Sequence, residues 1–227
     1  MNTKFLDNIS IDERELLNSI VEELFSKNFA RAMNEPDIYK WFADNASYDG
    51  YYINTDGCTK YVIVPDDSDY VIKIGHLGLS KDYCEREAIN YSKAYNAGLK
   101  HYFAETFLFG EYDGVKVYLQ EKMNCDDGLI DNTLFEYAES TYPSIHDKEE
   151  EEDLYYDDIN FAVDEFDIYD TLRACFGENK ETEELIKFCN ENDINDLHCK
   201  NFGCGGYGDI YIIDFSGYRE WEIWNIL

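Results

Sequence analysis

The sequence predicts an α+β fold, and three observations predict it. Short segments of β-type character cluster in the middle of the chain. Helical periodicities flank them, and a small strand–turn–strand pattern comes near the end. Of 227 residues, 44% are hydrophobic and 16% aromatic, enough apolar material for a substantial core.

Taken in order, Ser10-Ile11-Asp12-Glu13 reads as a capping box opening a helix. Leu16, Leu17, Ile20, Val21, Leu24 and Phe25 recur along it at helical spacing. Pro36 fits the first turn of a second helix running through Trp41 and Phe42. From about Ala46 the pattern becomes strand-like. Tyr61–Val64 and Tyr70–Ile74 flank the acidic turn Asp66-Asp67-Ser68-Asp69. Asp82 to about Ala97 is helical in pattern, and Gly98 suits its C-terminal cap. Phe107–Phe109 and Val115–Leu119 flank Asp113-Gly114, the signature of a tight hairpin. After Met123 the chain turns acidic and helical. Asp147 to Asp170 holds twelve acids and one Lys among apolar residues and predicts a loop with an acidic-faced helix. Thr182–Cys189 predicts another short helix, and Gly205-Gly206-Tyr207-Gly208 turns the chain back into Ile210–Ile213.

The 49 acidic and 19 basic side chains give a formal charge of −30. Such a charge repels phosphodiester backbones, so direct nucleic-acid binding is not expected; it can steer the chain toward a basic protein partner or imitate a nucleic acid to one. No apolar run approaches the roughly 20 residues a bilayer span needs, so no membrane partner is expected. The start, Met1 to Asp7, turns polar at once, unlike a secretory signal. Seven cysteines, irregularly spaced and without a CxxC, fit free thiols in a reducing, cytoplasmic compartment. His198, Cys199 and Cys204 suggest a zinc site, but a second ligand pair at matching spacing is absent.

Four features carry chemistry. Lys73 lies inside the apolar run Val71-Ile72-Lys73-Ile74, where burial requires an anionic partner; the alternative is an edge strand with Lys73 in solvent. Glu85 and Glu87 lie two apart on the next helix, so one of them points inward, and the packed face continued by Ala88 and Tyr91 favours Glu87. Asp196 precedes Asn201 by five residues on a loop where the carboxylate can orient a hydroxyl and the amide oxygen can ligate a hard cation; otherwise this is a polar turn. Asp214 ends the apolar run Ile212-Ile213 and is followed by Phe215-Ser216-Gly217, a placement suited to Mg²⁺ or simply to capping a turn.

In this order, Lys, Glu, Asp-x4-Asn, Asp-Phe-x-Gly, the sequence resembles the protein-kinase-like superfamily, including its small-molecule kinases, over about residues 46 to 217. The resemblance implies a bilobal fold, with a small antiparallel β-sheet lobe and a reduced, mostly helical lobe. Its domains would be an N-terminal helical extension (1–45), a β-rich nucleotide-binding lobe (46–123) and a reduced helical lobe (124–227). It implies ATP and Mg²⁺ as cofactors, bound between the lobes. Lys73 would grip the α/β-phosphates and Glu87 would hold Lys73. Asp196 would be the catalytic-loop Asp, and Asn201 and Asp214 the metal ligands. Glu121-Lys122-Met123 would meet the adenine, with Glu121 and Met123 as cofactor-binding residues, and Gly57 and Thr59 would approach the phosphates. The 13-residue separation of Asn201 and Asp214 suits the family's short hairpin.

The chain departs from the family pattern in four places. Ile194-Asn195 stands before Asp196, where the family usually has a His and an Arg or Gly, and Ser216 stands before Gly217. The full G-x-G-x-x-G is missing, and the sequence given ends ten residues after Gly217, without an Ala-Pro-Glu element. The expectation is therefore a phosphotransferase acting on an unidentified hydroxyl acceptor. Its alternatives are a kinase-like binding module without turnover and an acidic interaction protein.

Overall fold

The computed structural model describes residues 9–33, 41, 50–54, 59–76, 81–125, 128–141 and 169–217. The helix expected from Pro36 (apart from Trp41, which is helical), Gly57, and the acidic stretch up to residue 168 lie outside the described residues. The fold is α+β, and the chain divides into two compact units. One holds the described residues up to Tyr95 and Ala104–Lys122; the other holds Asn96–Phe103 and those from Met123 on. The N-terminal helix joins the sheet unit because its apolar face has the sheet to cover, and residues 96–103 go with the second unit.

The first unit is built on a five-stranded antiparallel sheet. Its strands are β1 (Tyr51–Asn54), β2 (Lys60–Pro65), β3 (Tyr70–Gly75), β4 (Thr106–Tyr112) and β5 (Val115–Glu121), in the order β1-β2-β3-β5-β4. β3 is the central strand, so Lys73 is not on an edge. At the β4–β5 turn, Asp113 and Gly114 both take positive φ (50° and 78°), the backbone that the Asp-Gly pair favours in a two-residue hairpin.

Helices cover both faces of this sheet. α1 (Ile11–Ser26) starts at Ser10, whose hydroxyl accepts from the Glu13 N–H at 3.2 Å. Left-handed Asn28 then breaks the chain into a short α2 (Phe29–Ala32), which the sequence did not announce. Phe29 packs edge-on against Tyr61 at 5.8 Å and Phe25 against Tyr112 at 5.6 Å, on the face that also carries Ile63, Ile72 and Leu119. α3 (Tyr83–Asn96) follows Asp82, whose carboxylate accepts from the Glu85 N–H at 3.1 Å. It covers the opposite face, burying Cys84, Glu87 and Tyr91.

The second unit is mostly helical. α4 (Leu129–Thr141), α5 (Asp170–Phe176) and α6 (Lys180–Glu191) accompany a hairpin of β6 (Phe202–Cys204) and β7 (Ile210–Ile212). Asn179 caps α6, its side-chain oxygen accepting from the N–H groups of Glu181 and Thr182. The segment 96–103 enters this core. Phe103 bridges Ile212 in parallel and packs edge-on against Phe188 and Phe215, at 5.7 and 5.1 Å. Gly203 is required where Met123 crosses the hairpin: a Cβ there would lie 2.6 Å from the Cβ of Met123. Asn124 and Cys204 exchange two backbone hydrogen bonds beside it, at 2.9 and 2.7 Å. No helix of the described residues is long and apolar enough to cross a membrane.

Candidate functional site

In the first unit the charged residues gather under α3. Lys73 is 5% exposed and Glu87 0% exposed, and the Lys73 ammonium donates to Glu87 Oε2 at 3.0 Å. The strand places Lys73 by alternation. Lys73 stands opposite Val62 on β2 and Tyr118 on β5, so all three face α3. Glu85, on another face of the same helix, instead meets Lys116 at the surface.

Lys60, 4% exposed, donates to the other oxygen of the same carboxylate, Glu87 Oε1. One carboxylate therefore carries two buried ammonium groups. Beside them Asp82 accepts from the Tyr118 hydroxyl at 3.2 Å. Gly75 admits it, since a Cβ at that position would come within 2.9 Å of Asp82 Oδ1. Burial, and next the Glu87 charge, push the Cys84 thiol well above its usual range.

Of the other expected cofactor residues, Thr59 is buried and its carbonyl accepts from the His76 N–H at 3.0 Å. Glu121 is the last residue of β5, which runs two residues beyond the expected Leu119. Its N–H donates to the Glu105 carbonyl. Lys122 is tied to the sheet by its N–H to the Asp69 carbonyl (2.7 Å) and its ammonium to the Pro65 carbonyl (2.6 Å). The chain leaves the sheet unit between Lys122 and Met123.

In the second unit the structure brings Asp196, Asn201 and Asp214 onto one scaffold. Asn201, at the end of a 3₁₀ turn (Cys199–Asn201), is buried, and its Nδ2 donates to the Asp196 carbonyl at 2.5 Å. The Asn201 carbonyl accepts from the N–H groups of Ile213 (2.8 Å) and Asp214 (3.4 Å). One Asn thus links the loop carrying Asp196 to the strand end carrying Asp214, and its side-chain oxygen is the atom left for a cation. Phe215, fully buried against Phe103, anchors the chain directly after Asp214. Ser216 donates to Asp214 Oδ1 at 3.1 Å. His198 Nε2 stands 3.6 Å from Asp196 Oδ1.

Gly217 completes the scaffold. Its φ is +65°, and a Cβ there would fall 1.8 Å from the Asp193 carbonyl oxygen. The turn after Asp214 therefore lies directly on the segment that leads into Asp196.

Comparison with known proteins gives no match: no family model, no curated protein and no solved structure. The geometry alone bears on function.

Among the described residues no group of three or more His, Cys, Asp or Glu is placed to hold a metal, His198, Cys199 and Cys204 included. A cation held by Asn201 and Asp214 would draw its remaining ligands from phosphate and water, the usual arrangement for Mg²⁺. The described cysteines are free thiols. Burial pushes Cys175 and Cys189 up to about 12, whereas Cys125 is exposed. Since the thiolate is the reactive form, a disulfide reagent at pH 8 is expected to modify Cys125 in the native protein and to reach Cys175 and Cys189 only on unfolding. Mass mapping of the labelled peptides with and without denaturant checks this.

Proposed function

We propose that the protein binds Mg-ATP as a bilobal, protein-kinase-like phosphotransferase and transfers the γ-phosphoryl to a hydroxyl acceptor. The observation that carries this reading is the Lys73–Glu87 ion pair, held between the central strand and the helix that follows it. A buried Lys fixed by a buried carboxylate is held in one position, which a phosphate-gripping cation needs. Asn201 and Asp214 fit a magnesium ion by their chemistry: both carry side-chain oxygens, and backbone bonds join the two residues at the base of the hairpin. The ion would neutralise charge on the transferring phosphoryl group. Asp196 orients the acceptor hydroxyl and accepts its proton. His198 stands on the flank of that carboxylate, and Ser216 holds the Asp214 carboxylate from behind. Each role is one of positioning or charge stabilisation, without a covalent intermediate.

Mg-ATP at a hundredfold excess over its Kd is expected to raise the melting temperature by about 5–10 °C. The rise is expected to vanish in Asp214→Ala. A wild-type protein whose melting temperature does not respond to Mg-ATP overturns the reading. A rise without γ-phosphate release to any alcohol leaves binding and removes transfer.

A further inference from the structure

Ser216 is 0% exposed and lies between two anchored neighbours. Phe215 before it is fully buried and packs edge-on against Phe103 at 5.1 Å. Gly217 after it lies so close to the Asp193 carbonyl that a Cβ would fall 1.8 Å from that oxygen. The backbone is therefore held on both sides, and the Ser216 hydroxyl cannot follow a carboxylate that turns. That hydroxyl donates to Asp214 Oδ1 at 3.1 Å. A buried hydroxyl that loses its partner is penalised, so the bond resists a turn of the carboxylate. Asp214 itself is half-buried and keeps part of its surface in solvent, where a cation can approach. The orientation of the carboxylate bears on which cation that is. Ca²⁺ takes about six to eight oxygens in a flexible geometry and accepts a carboxylate through one oxygen or both. Mg²⁺ is smaller, demands a near-octahedral shell, and is held by one or two carboxylates together with phosphate and water. A carboxylate with one oxygen on a fixed, buried hydroxyl suits attachment through a single oxygen and opposes the turn that would offer both.

We propose that Ser216 is a positioning residue that sets the cation preference of the site: by holding Asp214 Oδ1 it keeps Asp214 a one-oxygen ligand and favours Mg²⁺ over Ca²⁺. This rests on the reading of Asp214 as a metal ligand. It adds the group that discriminates between cations, at a position where the chain departs from the family pattern.

Calorimetric titration of the full chain with preformed Mg-ATP and with preformed Ca-ATP tests it. The readout is the ratio of the two affinities, which a uniform loss of nucleotide binding does not move. The wild type is expected to prefer Mg-ATP by about tenfold or more, the worth of one hydrogen bond to a charged group. Ser216→Ala and Ser216→Gly both remove the hydroxyl but pack differently, and each is expected to lose most of that preference, chiefly through tighter Ca-ATP. A wild type that binds both complexes equally overturns the proposal. An unchanged ratio in Ser216→Ala and Ser216→Gly overturns the role of Ser216 and leaves the nucleotide reading standing. A ratio that falls in one variant and not in the other assigns the effect to packing and likewise overturns it. Failure of the wild type to bind either complex overturns the nucleotide reading and this proposal together.

Discussion

Glu87→Ala is expected to lower the stability of the protein by about 3–5 kcal/mol, read as a fall in the urea midpoint. The substitution removes the carboxylate that two buried ammonium groups share, at a place with 0% exposure. Taking an ammonium out of water carries a penalty of several kcal/mol, and the shared carboxylate is what offsets it for both. Against a typical domain stability of about 5–15 kcal/mol, that loss is large. A companion variant separates charge from packing. Lys60→Met/Lys73→Met/Glu87→Leu replaces the whole ionic cluster with apolar side chains of similar volume, and is expected to match or exceed the wild type in stability. It is also expected to lose all phosphate-dependent affinity. A loss below about 1 kcal/mol in Glu87→Ala would mean that the carboxylate is not what keeps the two lysines buried.

Gly217→Ala is expected to cost about 3 kcal/mol or more, concentrated in the second unit. Two penalties add. An L side chain at a φ of +65° costs about 1–2 kcal/mol. The new methyl would also stand 1.8 Å from the Asp193 oxygen and 2.7 Å from its carbonyl carbon, both backbone atoms with no rotamer to change. Relief requires the turn after Asp214 to lift off the segment 193–194, which moves Asp214 and Asp196 apart. Chemical unfolding gives the stability, and titration of Mg²⁺ in the presence of ATP gives the geometry. The variant is expected to lose affinity for the metal complex at temperatures where it is still folded. Gly114→Ala is the control: it also has positive φ, at 78°, but meets nothing within 4 Å, so only the conformational penalty remains.

The sheet was legible where its signals were local. Asp113-Gly114 marked a hairpin by its need for two positive φ values, and Ser10 with Glu13 marked the start of α1. Helical geometry allowed only one of Glu85 and Glu87 to point inward, and the packed face continued by Ala88 and Tyr91 singled out Glu87, which is the one that meets Lys73. Lys60 was not legible. Periodicity assigns a strand residue to a face but does not tell how deeply that face is covered, and a Lys at a strand's first position ordinarily points to water. Its burial depends on α3 lying over β2, a tertiary fact. Ser216 departs from the family pattern in the sequence, and only the structure gives its hydroxyl a partner, the Asp214 carboxylate. The need for Gly217 was equally hidden, because the atoms that exclude a side chain belong to Asp193 and Ile194, more than twenty positions earlier.

The order of strands in the sheet also sets a sequence of events in time. β1 with β2, β2 with β3 and β4 with β5 are ladders between chain neighbours, which close on the scale of about 1–10 μs once their turns form. The β3–β5 ladder instead waits for the intervening α3 and β4 to be gathered in, a longer loop with a larger closure entropy. That late zipping brings Lys73 opposite Tyr118, so the buried charge cluster matures only as the two halves of the sheet join, and folding-rate effects of changes there are expected to be small beside their effects on unfolding.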